Sequence, residues 1–266
     1  MLKQRFFTAL CLVMFVIALL FYGNSQLIIW SIALLTMLCA YEWTQLIPIK
    51  STACVFVGCF LLIMLLIIAI TMYAAQTISI LFVIGFWSAV FSALCTFPTS
   101  QRYWGYMPIV IAAGYWVFYE FIISFEYLLT LEHGRALIMY LLILVWTADI
   151  AAYFFGKYFG KQKLIPQVSP GKTQEGLFGG FIITIMIAYI ASYYFMPSNL
   201  VHWFAVASIV FIYAVIGDLF ISMLKRRVSL KDTGTLLPGH GGLLDRLDSL
   251  IAAAPVFYSL AVHHWI

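Results

Sequence analysis

Charged residues are concentrated between Ser222 and Asp248, in a chain that otherwise carries few of them. These 27 residues hold eight charged side chains, whereas the whole sequence of 266 residues holds 14 Lys or Arg and 10 Asp or Glu. Asp245 and Asp248 have i,i+3 spacing, which on a helix points both carboxylates the same way. Carboxylate oxygens are hard ligands that suit Mg²⁺, particularly when phosphates complete its shell. The segment therefore predicts a polar catalytic loop that binds phosphate and metal.

The residues just before this loop add a second set of polar groups. Asp218, Ser222 and then Lys225 or Arg226 are spaced so that one helical face carries them toward the head-group region. Asp218 is therefore predicted to join the two downstream acids as a metal ligand. The glycines around His240 cannot form a regular helix, and they permit positive φ angles and close backbone approach to a ligand.

A second polar loop occupies residues 157–174. Its end is typical of a helix start, with Thr173 as the N-cap and an acid two residues later. Because a helix N-terminus beside a lysine is a good anion site, Ser169, Lys172 and Thr173 are predicted to bind phosphate. Asp149, late in the preceding apolar stretch, is an acid that requires a partner or a water-filled cavity.

The rest of the sequence is that of a membrane protein. Hydrophobic residues make up 65% of the chain and charged residues 9%, and the mean hydropathy is +1.05, which excludes a soluble fold. The apolar runs do not alternate residue by residue, so helices are favoured over a barrel. We predict an all-α polytopic membrane protein with about nine transmembrane helices, at 6–22, 26–47, 53–73, 78–96, 107–127, 136–156, 175–196, 201–223 and 249–265.

The distribution of basic residues predicts the orientation. With a cytoplasmic N-terminus, the inner loops collect 13 of the 14 basic residues and leave Arg135 alone outside, as the positive-inside rule requires. The C-terminus is then periplasmic, and the loops at 157–174 and 224–248 are cytoplasmic. We divide the chain into N-terminal transmembrane helices, 1–135, with a structural or dimerisation role, and a catalytic transmembrane region, 136–266. The net charge of +4 belongs mostly to one membrane face and does not indicate nucleic-acid binding.

Two acids lie in the apolar first half of the chain, Glu42 and Glu120. Ionisable groups inside a membrane are candidates for proton or ion sites. We favour the simpler interpretation, in which Glu42 is a helix-end acid near the interface and Glu120 pairs with a neighbouring polar group.

The spacing of the polar and glycine positions resembles that of the phosphatidate cytidylyltransferases, also called CDP-diacylglycerol synthases. The first matching motif is Ser222-x2-Lys225-Arg226-x4-Lys231-Asp232-x5-Pro238-Gly239-His240-Gly241-Gly242-x2-Asp245-Arg246-x-Asp248. The second landmark of the family is matched by Asp149, Tyr153, Gly156, Gly160, Lys163, Ser169, Pro170, Lys172, Thr173, Glu175 and Gly176. The two landmarks cover roughly residues 146–255, and the N-terminal spans match only in general hydropathy.

The resemblance implies an integral membrane enzyme that joins CTP and phosphatidic acid to give CDP-diacylglycerol and pyrophosphate. It implies dependence on Mg²⁺, a homodimer among membrane lipids, and a location in the bacterial inner membrane with the active site facing the cytoplasm. Asp149 could bind a second cation or orient the base. The implied catalytic residues are Asp218, Lys225, Lys231, Asp232, His240, Asp245 and Asp248, of which Asp218, Asp245 and Asp248 bind the metal. The implied substrate-binding residues are Asp149, Ser169, Lys172, Thr173, Ser222, Arg226 and Arg246.

Some alternatives stay open. His240 could protonate the departing pyrophosphate or only donate a hydrogen bond. A different CTP-dependent membrane enzyme, such as a polyprenol kinase, would have similar metal and phosphate sites. A transporter with a polar gate would spread its ionisable groups near the bilayer midplane, whereas here they are concentrated at one face.

Overall fold

The structure, a computed structural model, describes residues 2–47, 58, 80–236 and 241–261. Long helices account for most of them, because uninterrupted apolar runs satisfy every backbone group internally only as helices. The long helices are α1 (Leu2–Tyr22), α2 (Ser25–Trp43), α3 (Ile80–Cys95), α4 (Met107–Thr130), α5 (Gly134–Phe159), α6 (Gln174–Phe195), α7 (Leu200–Arg227) and α8 (Leu244–Ala261). A 3₁₀ turn, Thr44–Leu46, follows α2, and one helical turn, Gln101–Trp104, precedes α4.

Helices overlap the predicted spans wherever the structure describes them, but α8, at the predicted ninth span, is not among the described helices that could cross a membrane. The predicted span at 53–73 lies outside the described residues, apart from a single position. Within the described part of the chain, five stretches are long and apolar enough to cross a membrane, and α1 and α3 hold shorter apolar stretches, Leu10–Tyr22 and Leu81–Cys95. The protein is thus a helical membrane protein. The five long stretches are Ser25–Leu46, Met107–Thr130, Gly134–Phe159, Gln174–Phe195 and Leu200–Arg227.

The loop between α5 and α6 contains two short strands that the sequence did not predict. Strand β1 (Lys163–Ile165) pairs antiparallel with β2 (Ser169–Thr173). The backbone N–H of Gln162 donates to the Glu175 carboxylate, at 3.2 Å from each oxygen, which ties the start of this hairpin to the first turn of α6. The strands are too short for the residue-by-residue alternation that normally identifies a strand.

The described chain divides into two compact units. The first comprises residues 1–77, 102–139 and 224–248, and the second comprises the intervening segments and the C-terminal residues from 249 onward. Residues 224–248, which we call the charged segment, therefore belong to the same unit as α2 and α4, although both helices lie far from this segment in sequence.

In the first unit, α2 packs closely against α4 through Trp43. The Trp43 indole is buried, its Nε1 donates to the Val110 carbonyl at 3.2 Å, and its ring meets Phe118 edge-on at 5.5 Å between centroids. Gly114 makes this approach possible, since a Cβ at that position would lie 2.6 Å from Trp43 Nε1. Small residues at helix interfaces are the usual device for close packing in membranes.

Gly114→Ala is expected to lower the Tm of the protein. The added methyl group overlaps a buried and hydrogen-bonded indole, and overpacking of this kind costs about 1–3 kcal/mol. Gly85→Ala is the matched control, because a Cβ at Gly85, also inside a helix, meets no atom within 4 Å. Alanine favours a helix over glycine by about 1 kcal/mol, and the comparison cancels this term. Thermal unfolding of both variants in detergent measures the difference, and equal Tm values would contradict the packing at Trp43.

In the second unit, glycines of α6 let it lie against α5. A Cβ at Gly176 would lie 2.6 Å from the Ala152 carbonyl oxygen, and one at Gly179 would overlap the Phe155 ring. Further along, Trp203 is buried, and its Nε1 donates to the Ala188 carbonyl at 2.7 Å. The hairpin and the start of α6 are thereby held on a closely packed pair of helices.

Candidate active site

The most buried charges of the charged segment are an ion pair between Lys225 and Asp245. Lys225 lies in the last turn of α7 and Asp245 in the first turn of α8. Lys225 Nζ donates to Asp245 Oδ1 at 2.7 Å, and the two side chains are only 10% and 5% exposed. The other carboxylate oxygen, Oδ2, accepts the backbone N–H groups of Thr233 at 2.8 Å and Gly242 at 3.1 Å. The aspartate thus joins α7, the loop and α8.

This arrangement leaves the lysine available for an anion while fixing its position. A lysine ammonium has three donors, and the hydrogen bond to Asp245 uses one of those of Lys225. An ionised carboxylate accepts about four hydrogen bonds, and Asp245 already accepts three. Asp245 therefore fixes the position of Lys225, and the phosphate-binding role of Lys225 stays a prediction.

A second cluster, in the second unit, consists of Lys172, Asp218 and Ser222. Lys172 Nζ lies 2.5 Å from Asp218 Oδ2, and the side chains are 26% and 24% exposed. The Ser222 hydroxyl donates to Asp218 Oδ1 at 3.3 Å, so the predicted common face of these two residues on α7 is confirmed. Because it is more exposed than the Lys225–Asp245 pair, this cluster can exchange its internal contacts for those of a ligand.

The position of Lys172 is set by the capped start of α6. Thr173 is the N-cap, as predicted, and its hydroxyl oxygen accepts the Gly176 N–H at 3.1 Å. Two glycines of the preceding helix end face it, since Cβ atoms at Gly156 and Gly160 would lie 3.0 and 2.9 Å from Thr173 Oγ1. With Thr173 buried as a cap, its predicted contact with substrate stays a prediction, while Lys172 next to it forms the ion pair with Asp218.

The other predicted site residues differ in how exposed they are. His240 lies outside the described residues. Gly241 has a φ of 83°, which bears out the predicted use of glycine for a left-handed conformation. A Cβ at Gly241 would lie 3.3 Å from Asp232 and from Asp245 Oδ2, so the loop passes close to both acids. Ser169 and Asp248 are half-buried, whereas Asp149, Arg226, Lys231, Asp232 and Arg246 are exposed.

The acids have the chemistry for magnesium but do not form a complete cage by themselves. Among residues 2–47, 58, 80–236 and 241–261, no group of three or more His, Cys, Asp or Glu side chains could hold a metal ion. Mg²⁺ is commonly bound by one or two carboxylates together with substrate phosphates. The donor set therefore fits a metal that arrives with a phosphate ligand.

The sequence analysis interpreted Glu42 as a helix-end acid near the interface and did not single out Thr233. Glu42 is fully buried near the end of α2, and its Oε2 accepts the Thr233 hydroxyl at 3.0 Å. The end of α2 also accepts from the same segment, since Arg227 Nη1 donates to the Leu46 carbonyl at 3.2 Å. The only available signal was topological: the predicted spans place the end of α2 on the same membrane face as the charged loop.

Comparison with known proteins gives one consistent result. The family model described as "Cytidylyltransferase family" matches residues 3–263. The chain is 32% identical to the phosphatidate cytidylyltransferase of Haemophilus influenzae over 97% of both chains. It is 34% identical to the enzyme of the same name from Pseudomonas aeruginosa, over 98% of this chain and 97% of that one. The enzyme from Bacillus subtilis is 39% identical over 48% of each chain. A match of this length shows that the chain belongs to the cytidylyltransferase family.

Proposed function

We propose that the protein is a phosphatidate cytidylyltransferase, which converts CTP and phosphatidic acid into CDP-diacylglycerol and pyrophosphate. The observation that carries the proposal is the similarity to two phosphatidate cytidylyltransferases over nearly the whole chain. The protein would thus act in phospholipid biosynthesis. The lysines held by Asp245 and Asp218 support the proposal, because both substrates are anions.

The reaction explains why such lysines are needed. A phosphate oxygen of the lipid attacks the α-phosphorus of CTP, a new P–O bond forms, and the bond to the β-phosphate breaks to release pyrophosphate. The protein contributes to such transfers mainly by positioning and by neutralising charge. Lys225, with little freedom to move, would bind the phosphates of one substrate. Lys172 would leave Asp218 in part to bind another phosphate group.

We also propose that Mg²⁺ takes part. Asp218, Asp245 and Asp248 remain the candidate ligands from the sequence, each as a single carboxylate whose oxygens match the preference of this ion and would act together with substrate phosphates. When bound, the metal would supply positive charge to the phosphates. Asp245 already accepts three hydrogen bonds, so about one acceptor position of its carboxylate would remain for a metal. Asp149 is the candidate for a second cation.

The orientation, the location and the assembly are further parts of the proposal. Nine spans with the N-terminus inside would put both polar loops in the cytoplasm, where CTP is found, and the C-terminus in the periplasm. The bacterial relatives support the inner membrane as the location. A homodimer surrounded by membrane lipids is the proposed assembly.

Labelled CTP tests the proposed reaction directly. The purified enzyme with phosphatidic acid is expected to transfer label from the α-phosphate of CTP into lipid and to release pyrophosphate. Label from the γ-phosphate in lipid would indicate a kinase instead, and no label in lipid would contradict both. Chelation with EDTA is expected to stop the reaction, and added Mg²⁺ is expected to restore it. Parallel reactions with dCTP and with other lipid phosphates define the substrate range.

A further inference from the structure

Glu42 accepts three hydrogen bonds from the charged segment, although it belongs to an N-terminal helix. The Leu243 N–H donates to Oε1 at 3.0 Å, and the Leu244 N–H donates to Oε2 at 2.8 Å. The Thr233 hydroxyl also donates to Oε2, at 3.0 Å. The relative exposure of Glu42 is 0%, so water does not compete for these contacts.

Two of these donors belong to the start of α8. The first N–H groups of a helix have no partner within the helix, and Leu243, which precedes α8, has no side-chain acceptor to cap it. Glu42 supplies the missing acceptor from 201 residues away in sequence. A carboxylate is also the favourable charge at a helix N-terminus, where the macrodipole is positive.

The loop has glycines where it passes Glu42. A Cβ at Gly234 would lie 2.5 Å from Glu42 Oε1, and a Cβ at Gly242 would overlap both Glu42 Oε2 and Thr233 Oγ1. Side chains at these two positions would force the loop away from the carboxylate. Gly242 is therefore explained by close packing on Glu42.

The contacts continue from Glu42 to the lysine of the buried ion pair. Thr233 donates its hydroxyl to Glu42 and its backbone N–H to Asp245. Gly242, which packs on Glu42, also donates its N–H to Asp245. Asp245 in turn holds Lys225 Nζ at 2.7 Å. The position of the lysine thus depends, through two intermediate groups, on a residue that lies nowhere near it in sequence.

We propose that Glu42 is a positioning residue for the cytidylyl transfer. It touches no substrate. It holds Thr233 and the first turn of α8 so that Asp245 presents Lys225 in the geometry that the reaction needs. The inference rests on the proposed function for its activity readout, and hydrogen exchange provides a second readout that does not need the activity.

Glu42→Gln tests the proposal, with Glu42→Asp as the conservative variant. Glutamine has the same shape, but its NH₂ group is a donor. It would face one of the donors that now bind a Glu42 oxygen. We expect kcat to fall about 10- to 100-fold, since a displacement of about 1 Å at a reacting centre has effects of this size. The KM for CTP is expected to change little, because the fully buried Glu42 is out of reach of a soluble substrate. Glu42→Asp keeps the charge on a shorter side chain and is expected to recover part of kcat.

The controls separate positioning from loss of fold. Glu126→Gln removes another buried acid of the same unit, one whose Oε2 accepts no hydrogen bond from the described residues, and is expected to keep near wild-type kcat. Hydrogen–deuterium exchange at Leu243 and Leu244 is expected to be faster in Glu42→Gln than in the wild type. An unchanged kcat in folded Glu42→Gln would overturn the positioning role, whatever the exchange rate. Failure of the proposed function would be seen separately, in the wild-type enzyme, as absence of CDP-diacylglycerol.

Discussion

Asp245→Asn is expected to reduce the formation of CDP-diacylglycerol by roughly 100- to 5000-fold. The substitution removes the counter-charge of Lys225, whose side chain is 10% exposed. Breaking a buried ion pair on one side costs about 3–5 kcal/mol, and each 1.36 kcal/mol corresponds to a factor of about ten in rate. The asparagine oxygen can still accept from the backbone of Thr233 or Gly242, so we expect the loop to fold with its lysine displaced.

The measurement is kcat/KM for CTP in purified, folded enzyme, and the result is compared with Lys225→Met and with the double variant. Because Lys225 and Asp245 act together as an ion pair, the double variant is expected to be about as slow as either single variant. Glu132→Gln is the matched control, since it neutralises an exposed acid of the same unit. Near wild-type activity of Asp245→Asn would show that the ion pair has no part in the reaction.

Lys172→Met is expected to lower kcat/KM by about 100-fold or more, the usual cost of removing one preorganised donor to a developing negative charge. Its effect on stability should be small. The Lys172–Asp218 pair is about one-quarter exposed on each side, and exposed ion pairs contribute about 0–1 kcal/mol to folding. A large loss of activity with an unchanged Tm would therefore identify a residue that serves the reaction.

Lys161→Met is the control for the second experiment. Lys161 lies in the same loop as Lys172 and is exposed, so the two variants change the loop charge equally. Lys161→Met is expected to keep near wild-type kcat/KM. Equal losses in the two variants would mean that the loop acts only through its overall charge, and would contradict a specific role for the Lys172 ammonium.

Features that depend on neighbours in sequence were predictable. The N-cap at Thr173 follows from its hydroxyl and from the acid two residues later. The contact between Asp218 and Ser222 follows from i,i+4 spacing on a helix. The start of α8, with Asp245 in its first turn, follows from the glycines that precede it and from the apolar run that comes after. In each case, residues within one or two helical turns contain all the information required.

Features that depend on distant partners were not predictable in the same way. Glu42 reads in the sequence as an ordinary acid at a helix end, because the three groups that bind it are 191 to 202 residues away. Thr233 carries no local signal either, since its hydroxyl and its backbone N–H have partners from two different parts of the chain. The grouping of residues 224–248 with α2 and α4 is also a tertiary property.

The contact between Glu42 and Leu243 also has a consequence for biosynthesis. At about 5–20 residues per second, the ribosome needs on the order of 10–40 s to make the intervening chain, which is 201 residues long. During that interval, α2 enters the membrane with a carboxylate whose final donors do not yet exist. An uncompensated acid in a bilayer is costly, so the nascent protein must keep this helix end near water or bind it temporarily. A chain that terminates before Thr233 never contains the groups that donate to Glu42.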